Sequence, residues 1–375
     1  GRGLIAVNVM RAVADYARLV RQACESGADV IVVGAGLPLD LPELTAEFPQ
    51  VAIVPILSDA RGIALVMKKW ERKGRLPDAI IIEHPKHAGG HLGAAKIDDL
   101  DDPRFDFENV LPETRKLLAS QGLEARIPLI VAGGINSPER VREVIGLGAA
   151  AVQVGTAFAV TVESDAHPEF KRVLAGARPE DIVEFQSVAG LPARAVRTPW
   201  LDAYLKVEAK MQAKAAERNR PKPRCAMVFD CLAQCGLRDG IARFGQFCID
   251  NQLGAALKGD VKKGLFFRGA GRLPFGDEIR PVRELIDHLL GRAGELQASV
   301  QQRVQTRLEV VQERLEEVHA SVQVRLEDVQ ASVQERIESM QATVQATVQT
   351  ALAPVVEKLD AALDTLRPEP TPRGA

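Results

Sequence analysis

The chain has 375 residues and a formal net charge of −2, from 48 lysines and arginines against 50 aspartates and glutamates. Because the two signs are interspersed, the composition argues against a nucleic-acid partner, and no apolar run approaches the roughly 18 residues that cross a bilayer. No secretory signal pattern is recognised, so we expect a cytoplasmic protein that acts on a small molecule. The length exceeds the roughly 250–300 residues of one core, which predicts two structural units.

Apolar runs of strand length alternate with helical stretches along the first part of the chain. The runs cover residues 4–9, 29–33, 51–57, 79–82, 128–132 and 150–154. They are apolar throughout, which is typical of parallel strands covered on both faces. A closed barrel of this type needs eight strands and we count six. The predicted fold is a (β/α)8 TIM-like barrel that lacks its first two strands in this chain, with residues 1–162 as the partial barrel.

The composition changes four times after this barrel. Residues 163–224 are mostly helical in pattern and charged, which predicts a helical subdomain or lid. Residues 225–293 contain the four remaining cysteines and end in an amphipathic helix, so we assign them to the C-terminal part of the catalytic region. Residues 294–367 are rich in Gln, Val, Glu and Ala, and residues 368–375 form a predicted disordered tail.

The stretch 294–367 carries an eleven-residue repeat. Two sets of positions define it: Val311, Val322, Val333, Val344 and Val355, and Leu315, Leu326, Ile337, Val348 and Leu359. Such a hendecad has about 3.67 residues per turn, so its apolar stripe stays nearly straight along one long helix. A single helix cannot bury the stripe, and we expect a homo-oligomer through it. A hairpin, a hydrophobic surface and a single exposed helix remain alternatives, and Pro354 is expected to kink or end the helix.

Pairs of residues that contain glycine follow the last two predicted strands. Gly133 and Gly134 follow run 128–132, and Gly155 and Thr156 follow run 150–154. In parallel βα barrels these strand ends carry function, and phosphates are often held there by backbone N–H groups and hydroxyls. Either pair alone is explained equally well by a tight turn. Two pairs at successive strand ends predict a phosphate site.

The segment Ala-Gly-Gly-His-Leu-Gly at 88–93 follows the apolar run 79–82. Gly89 and Gly90 would let a flat ligand approach the backbone closely, and a neutral imidazole at His91 could accept a carbon-bound proton. His84 and His87 lie nearby, so a metal site is the alternative. Because glycines between the histidines leave the ring positions unconstrained, we predict no metal there.

Together these motifs resemble the nitronate monooxygenase (2-nitropropane dioxygenase) family and its relatives, the flavin-dependent enoyl-acyl-carrier-protein reductases. The resemblance covers about residues 4–290 and implies an FMN-binding barrel in which His91 is the catalytic base. It places Asn8 beside the flavin, although a turn-capping role is equally compatible, and Gly34 and Gly36 in the wall near the ring. Gln153 is expected to face the phosphate or the ring. The segment 83–87, Glu-His-Pro-Lys-His, departs from the family pattern.

The resemblance predicts an enzyme that oxidises alkyl nitronates with O2. One alternative keeps FMN but takes electrons from NAD(P)H to reduce an enoyl thioester or quinone. Another is a non-catalytic, truncated barrel in which the long helix serves as a coiled-coil scaffold. The substrate itself is not predicted, because specificity in such barrels depends on loop side chains.

Four cysteines, at positions 225, 231, 235 and 248, lie close together in the chain. In a reducing compartment such a group suggests a metal or iron–sulfur site at Cys225, Cys231, Cys235 and Cys248 more than disulfides. The spacing is not a common ligand pattern, and we favour packing as small apolar side chains.

Overall fold

The computed structural model describes residues 3–217, 225, 227 and 229–365, and the chain divides into two compact units, Gly1–Gly294 and Glu295–Ala375. Within the described residues there are nine strands. They are β1 (Ala6–Met10), β2 (Val30–Gly34), β3 (Ala52–Leu57), β4 (Ile80–Glu83), β5 (Gly90–His91), β6 (Leu129–Ala132), β7 (Ala151–Gln153), β8 (Ile182–Gln186) and β9 (Pro192–Val196).

The helices of the described residues, apart from three short 3₁₀ turns, are the following. They are α1 (Tyr16–Glu25), α2 (Leu41–Leu44), α3 (Ala60–Glu71), α4 (Phe107–Ser120), α5 (Pro138–Gly146), α6 (Thr156–Ala159), α7 (Pro168–Gly176), α8 (Pro199–Leu205), α9 (Glu208–Ala216), α10 (Gly236–Asp239), α11 (Ile249–Leu257), α12 (Val282–Leu289) and α13 (Ala293–Thr365).

Six strands form one parallel sheet in the order β1-β2-β3-β4-β6-β7. They correspond to the six predicted runs, and the sheet curls into a half-barrel. The register sets Glu83, the last residue of β4, beside Ala132, the last residue of β6, which in turn lies beside Gln153 of β7. The carboxyl ends of these three strands therefore meet at one edge of the sheet.

The outer face of the sheet packs against its helices. Ile31, Ile53 and Ile80 lie in one buried cluster with Trp70 of α3 and Phe107 of α4. Burying a side chain of this size contributes about 1.5–3 kcal/mol. The opposite face carries a smaller cluster of valines, isoleucines and alanines, as expected for a strand buried on both sides.

The helix between β6 and β7 begins as the sequence predicts. Ser137 caps α5, its Oγ accepting a hydrogen bond from the N–H of Arg140 at 3.2 Å, and Pro138 occupies the first helical turn. Because the N-cap residue fixes where a helix starts, the loop between β6 and α5 is only five residues long, from Gly133 to Ser137.

Residues 163–224, expected to be mostly helical, also contain strands. Besides helices α7, α8 and α9, they contain β8 and β9, which form an antiparallel sheet with the two-residue strand β5 in the order β5-β9-β8. Gly90 pairs with Arg194, and His91 pairs with Ala193. These pairs hold the part of the chain that leaves β4 against the small antiparallel sheet.

The second unit contains the long helix α13, which confirms the long C-terminal helix. The helix continues through Pro354 to Thr365, so of the two expected effects of this proline, a kink or an end, the end is wrong. The predicted tail, 368–375, lies outside the described residues. Across the described part of the chain, no helix has the length and apolar character needed for a membrane span.

Candidate active site

A cavity of about 330 Å³ lies at the carboxyl ends of β4, β6 and β7. Seven of the eight residues predicted to bind the cofactor line it: Gly89, Gly90, Gly133, Gly134, Gln153, Gly155 and Thr156. Its volume falls within the range of about 300–1,000 Å³ that is common for small-molecule sites. The sequence-predicted glycine turns therefore come together around one cavity.

Two of these glycines are required by the turn itself. Gly133 has φ +93°, and a Cβ there would lie 2.9 Å from the His84 carbonyl oxygen. Gly134 has φ +77°, and its Cβ would lie 3.0 Å from the side chain of His87. Left-handed backbone and close packing against the chain after β4 exclude larger residues at both positions.

Gly155 has a different environment. Its backbone has φ −106° and ψ −77°, and a Cβ there would have no heavy atom within 4 Å. Neither backbone strain nor protein packing requires a glycine at this point. The open space beside Gly155 and the Thr156 hydroxyl could therefore hold part of a bound ligand. That hydroxyl also accepts a hydrogen bond from the N–H of Gly269 at 3.2 Å.

A buried guanidinium that the sequence did not single out lies in the same wall. Arg268 is 3% exposed, and it donates hydrogen bonds to the carbonyl oxygens of Leu174 and Gly269. Within the described residues, no carboxylate oxygen lies within 4 Å of its nitrogens. Burial lowers its pKa. Because a buried cation without a counter-charge is costly, Arg268 marks a place where an anion would be stabilised. In the sequence, the only indication of a buried arginine here was its position between two phenylalanines and a glycine.

His91 lies in a second cavity, of about 260 Å³, which it lines together with Gly36 and Ser58. The His91 Nε2 and Ser187 Oγ atoms are 2.7 Å apart, and the His91 ring is 5.6 Å from the ring of Phe267, which lines the first cavity. Burial lowers the pKa of His91 to about 4. The ring is therefore neutral at pH 7 and has a free lone pair on one nitrogen.

Glu83 connects the two cavities, because it lines both. It ends β4, it is partly buried, and burial raises its pKa to about 7. A carboxyl with this pKa exchanges a proton near neutral pH. Glu83 was not among the predicted site residues, and its sequence signal was a single acidic residue after three isoleucines.

The other two histidines belong to the wall between β4 and β6. His84 is 3% exposed, its Nδ1 accepts a hydrogen bond from the N–H of Lys86, and its Nε2 therefore donates to Asp106 at 3.2 Å. Burial lowers the pKa of His84, and burial together with the His84 ring lowers the pKa of His87 to about 4. Within the described residues, no group of three or more His, Cys, Asp or Glu side chains is placed to hold a metal ion.

Asn8 does not join the predicted cluster. It lies exposed on β1, in register with Val32 of β2, and it lines neither cavity. Gly34 ends β2 and packs against Ile56 of β3. Among the residues expected at the ring wall, only Gly36 reaches the second cavity.

The cysteines are free thiols with different surroundings. Cys235 is buried, and its Sγ accepts a hydrogen bond from the N–H of Arg238 at the start of α10. Cys225, Cys231 and Cys248 are partly buried, and burial raises the pKa of Cys231 and Cys235. Cys231 and Cys235 pack with apolar residues of a common cluster. A metal or iron–sulfur site was the alternative to such packing, and among the described residues no three of these thiols are placed to share an ion.

Residues 3–291 match the family model "Nitronate monooxygenase". A nitronate monooxygenase of Pseudomonas aeruginosa is 32% identical over 117 residues, which are 31% of this chain and 31% of that protein. The nitronate monooxygenase of Paraburkholderia phytofirmans is 33% identical over 119 residues, 32% of this chain and 30% of that protein. The aligned segment thus spans about a third of the length of the curated relatives.

Solved structures resemble a larger part of the chain. FabK from Thermotoga maritima is 25% identical with a TM-score of 0.56, and the match covers 81% of this chain and 80% of that one. A nitroalkane oxidase from Streptomyces ansochromogenes is 17% identical with a TM-score of 0.50, covering 79% and 82%. At that identity the second match supports the fold alone.

Proposed function

The chain belongs to the nitronate monooxygenase family, and we propose that it is an FMN-dependent oxidoreductase that oxidises alkyl nitronates with O2. The observation that carries this proposal is the single cavity lined by the glycine turns after β4, β6 and β7 together with the buried Arg268. His91, in the adjoining cavity, is the proposed base for substrates that arrive as the neutral nitroalkane.

The first cavity fits the phosphate end of FMN. Arg268 supplies a buried positive charge without a carboxylate partner among the described residues. Arg272 lines the same wall, and Thr156 and Gly155 offer a hydroxyl and open backbone. Charge-assisted hydrogen bonds of this kind bind phosphate strongly. FMN, when bound, supplies the electron acceptor that oxidation of the substrate requires.

His91 is suited to accept a proton. If the Nε2–H donates to Ser187 Oγ, the lone pair of the neutral ring lies on Nδ1, which has no hydrogen-bond partner among the described residues. Ser187 fixes the ring orientation, and the low pKa keeps the ring unprotonated at pH 7. Glu83 lies between this base and the glycine turns and can take up or release a proton there.

The test is a pair of steady-state assays on the FMN-loaded full chain. With ethyl nitronate and O2 we expect oxygen consumption and stoichiometric nitrite. Rapid oxidation of NAD(P)H by an enoyl thioester or quinone, without nitrite from nitronate, would refute the proposal in favour of a reductase. A purified chain that fails to bind added FMN would refute both and favour a non-catalytic scaffold. Gly146→Ala, in helix α5 and with open space around its Cβ, is the matched control for glycine substitutions in the cavity wall.

A further inference from the structure

The second compact unit presents an apolar face that its own residues leave uncovered. Every side chain from Val304 to Ala362 is exposed. Large apolar residues among them are between 44% and 69% exposed: Val311, Leu315, Val318, Val322, Leu326, Val329, Val333, Ile337, Met340, Val344, Val348, Val355 and Leu359. A contiguous apolar surface of this size requires a partner.

The apolar residues lie along one line of the helix. Their intervals are four, three and four residues, and at about 100° per residue the three positions of each repeat fall within about 60° of one another. The pattern returns after eleven residues with a drift of only about 20°. From Val304 to Leu359 the stripe is about 80 Å long at 1.5 Å per residue.

The charged residues are arranged differently on the two sides of the stripe: bases lie next to it on one side, and acids lie farther from it on the other. Three residues after each repeating valine, about 60° to one side, the chain has Arg314, Arg325, Arg336, Thr347 and Lys358. Five residues after the same valines, about 140° to the other side, it has Glu316, Glu327, Glu338, Gln349 and Asp360. The one repeat that lacks the base also lacks the acid. Glu317 and Asp328 lie on the basic side, farther from the stripe than the bases, and Glu313, Glu335 and Glu357 lie near the back of the helix.

The four bases of this set are unpaired in the single helix. Within the described residues, no carboxylate oxygen lies within 4 Å of the side-chain nitrogens of Arg314, Arg325, Arg336 or Lys358. The acidic side carries glutamines nearer the stripe, at positions 312, 323, 334 and 345, and no lysine or arginine among its repeating positions. Positive charge therefore lies next to the stripe on one side only, and the other side offers glutamines with acids behind them.

We propose that α13 binds the same helix of a second copy of this chain, parallel and in register. In a parallel pair the basic side of one helix faces the acidic, glutamine-rich side of the other, and the uncharged Thr347 meets the repeat that carries Gln349. An antiparallel pair would set basic side against basic side. Charges that flank an apolar seam decide orientation in this way. The eleven-residue period gives the pair a straight or slightly right-handed course.

Sedimentation equilibrium of the full, FMN-loaded chain tests the contact. We expect a mass of at least twice the 40.6 kDa of one chain. The double variant Val322→Glu with Val333→Glu places two charges in the stripe and should sediment as a single chain. Ala320→Glu with Ala331→Glu adds the same two charges on the opposite side of the helix and should keep the larger mass. A single-chain mass for the unchanged protein, or dissociation of the control pair, would overturn the proposal.

Disulfide trapping tests the orientation. After mild oxidation, Val311→Cys should give a covalent dimer that the unsubstituted chain, with its five native cysteines, does not form. A mixture of Val311→Cys and Val355→Cys chains should give no mixed dimer, because 44 residues of helix separate the two positions by about 66 Å. Mixed dimers without 311–311 dimers would show an antiparallel pair and refute the proposal. A single chain that sediments with phosphatidylcholine vesicles would refute it in favour of a lipid surface.

Discussion

Replacing Gly155 by alanine separates a ligand role from a folding role at the cavity wall. The added methyl group meets no heavy atom of the described residues within 4 Å, and the backbone at φ −106° accepts alanine. We therefore expect the folded protein to keep its stability or to gain about 0.4–1 kcal/mol, since alanine restricts the unfolded chain. The methyl group would instead occupy space that FMN needs.

The expected loss is the weakening of one charge-assisted hydrogen bond, about 1.5–3 kcal/mol, or roughly 10- to 150-fold in Kd. Quenching of flavin fluorescence measures Kd, and thermal unfolding without flavin measures stability. Riboflavin, which lacks the phosphate, should lose much less affinity than FMN if Gly155 lies beside the phosphate. Unchanged FMN binding by Gly155→Ala, with Gly146→Ala as reference, would refute the placement of FMN in this cavity.

Three further outcomes follow from the same geometry. Arg268→Met should raise the Kd for FMN by a similar factor and the Kd for riboflavin far less, and equilibrium dialysis measures both. Equal losses of affinity for the two ligands would contradict a phosphate contact. His91→Asn should lower kcat/KM for neutral nitroalkanes by about 10²–10⁴-fold with normal FMN content, and the acid limb of the wild-type profile should lie near pH 4. Glu83 has a folded pKa of about 7 against 4.5 unfolded, so the folded state holds more protons between these values and stability falls as pH rises through them, by up to about 3 kcal/mol. Glu83→Gln should flatten this dependence in urea titrations at pH 5 and 8, and an unchanged slope would contradict it.

The parallel half-barrel could be predicted because each of its strands is a continuous apolar run, and strands of this kind are buried on both faces. The glycine turns could be predicted for a related reason, since Gly133 and Gly134 adopt a backbone conformation that other residues rarely take. Local chemistry and local structure agree at these positions.

The remaining parts of the site depend on contacts between distant parts of the chain. Ser187 meets His91 across 96 positions, and Arg268 reaches the wall through its hydrogen bond to Leu174, 94 positions away. The strands β8 and β9 were missed because their short, mixed-polarity segments lie in a charged and mostly helical stretch. Asn8 was selected by its neighbours in the sequence, whereas its exposure depends on its place in strand β1 at the edge of the sheet.

His91 and the glycine turns after β6 and β7 are anchored to different sheets. Gly133, Gly134 and Gly155 follow strands of the half-barrel, while Gly90 and His91 pair with β9, which also bridges to Phe267. Substitutions in residues 182–196 can therefore reposition the imidazole without rebuilding the turns after β6 and β7. Directed evolution of that hairpin could therefore change substrate preference while the glycine turns after β6 and β7 stay the same.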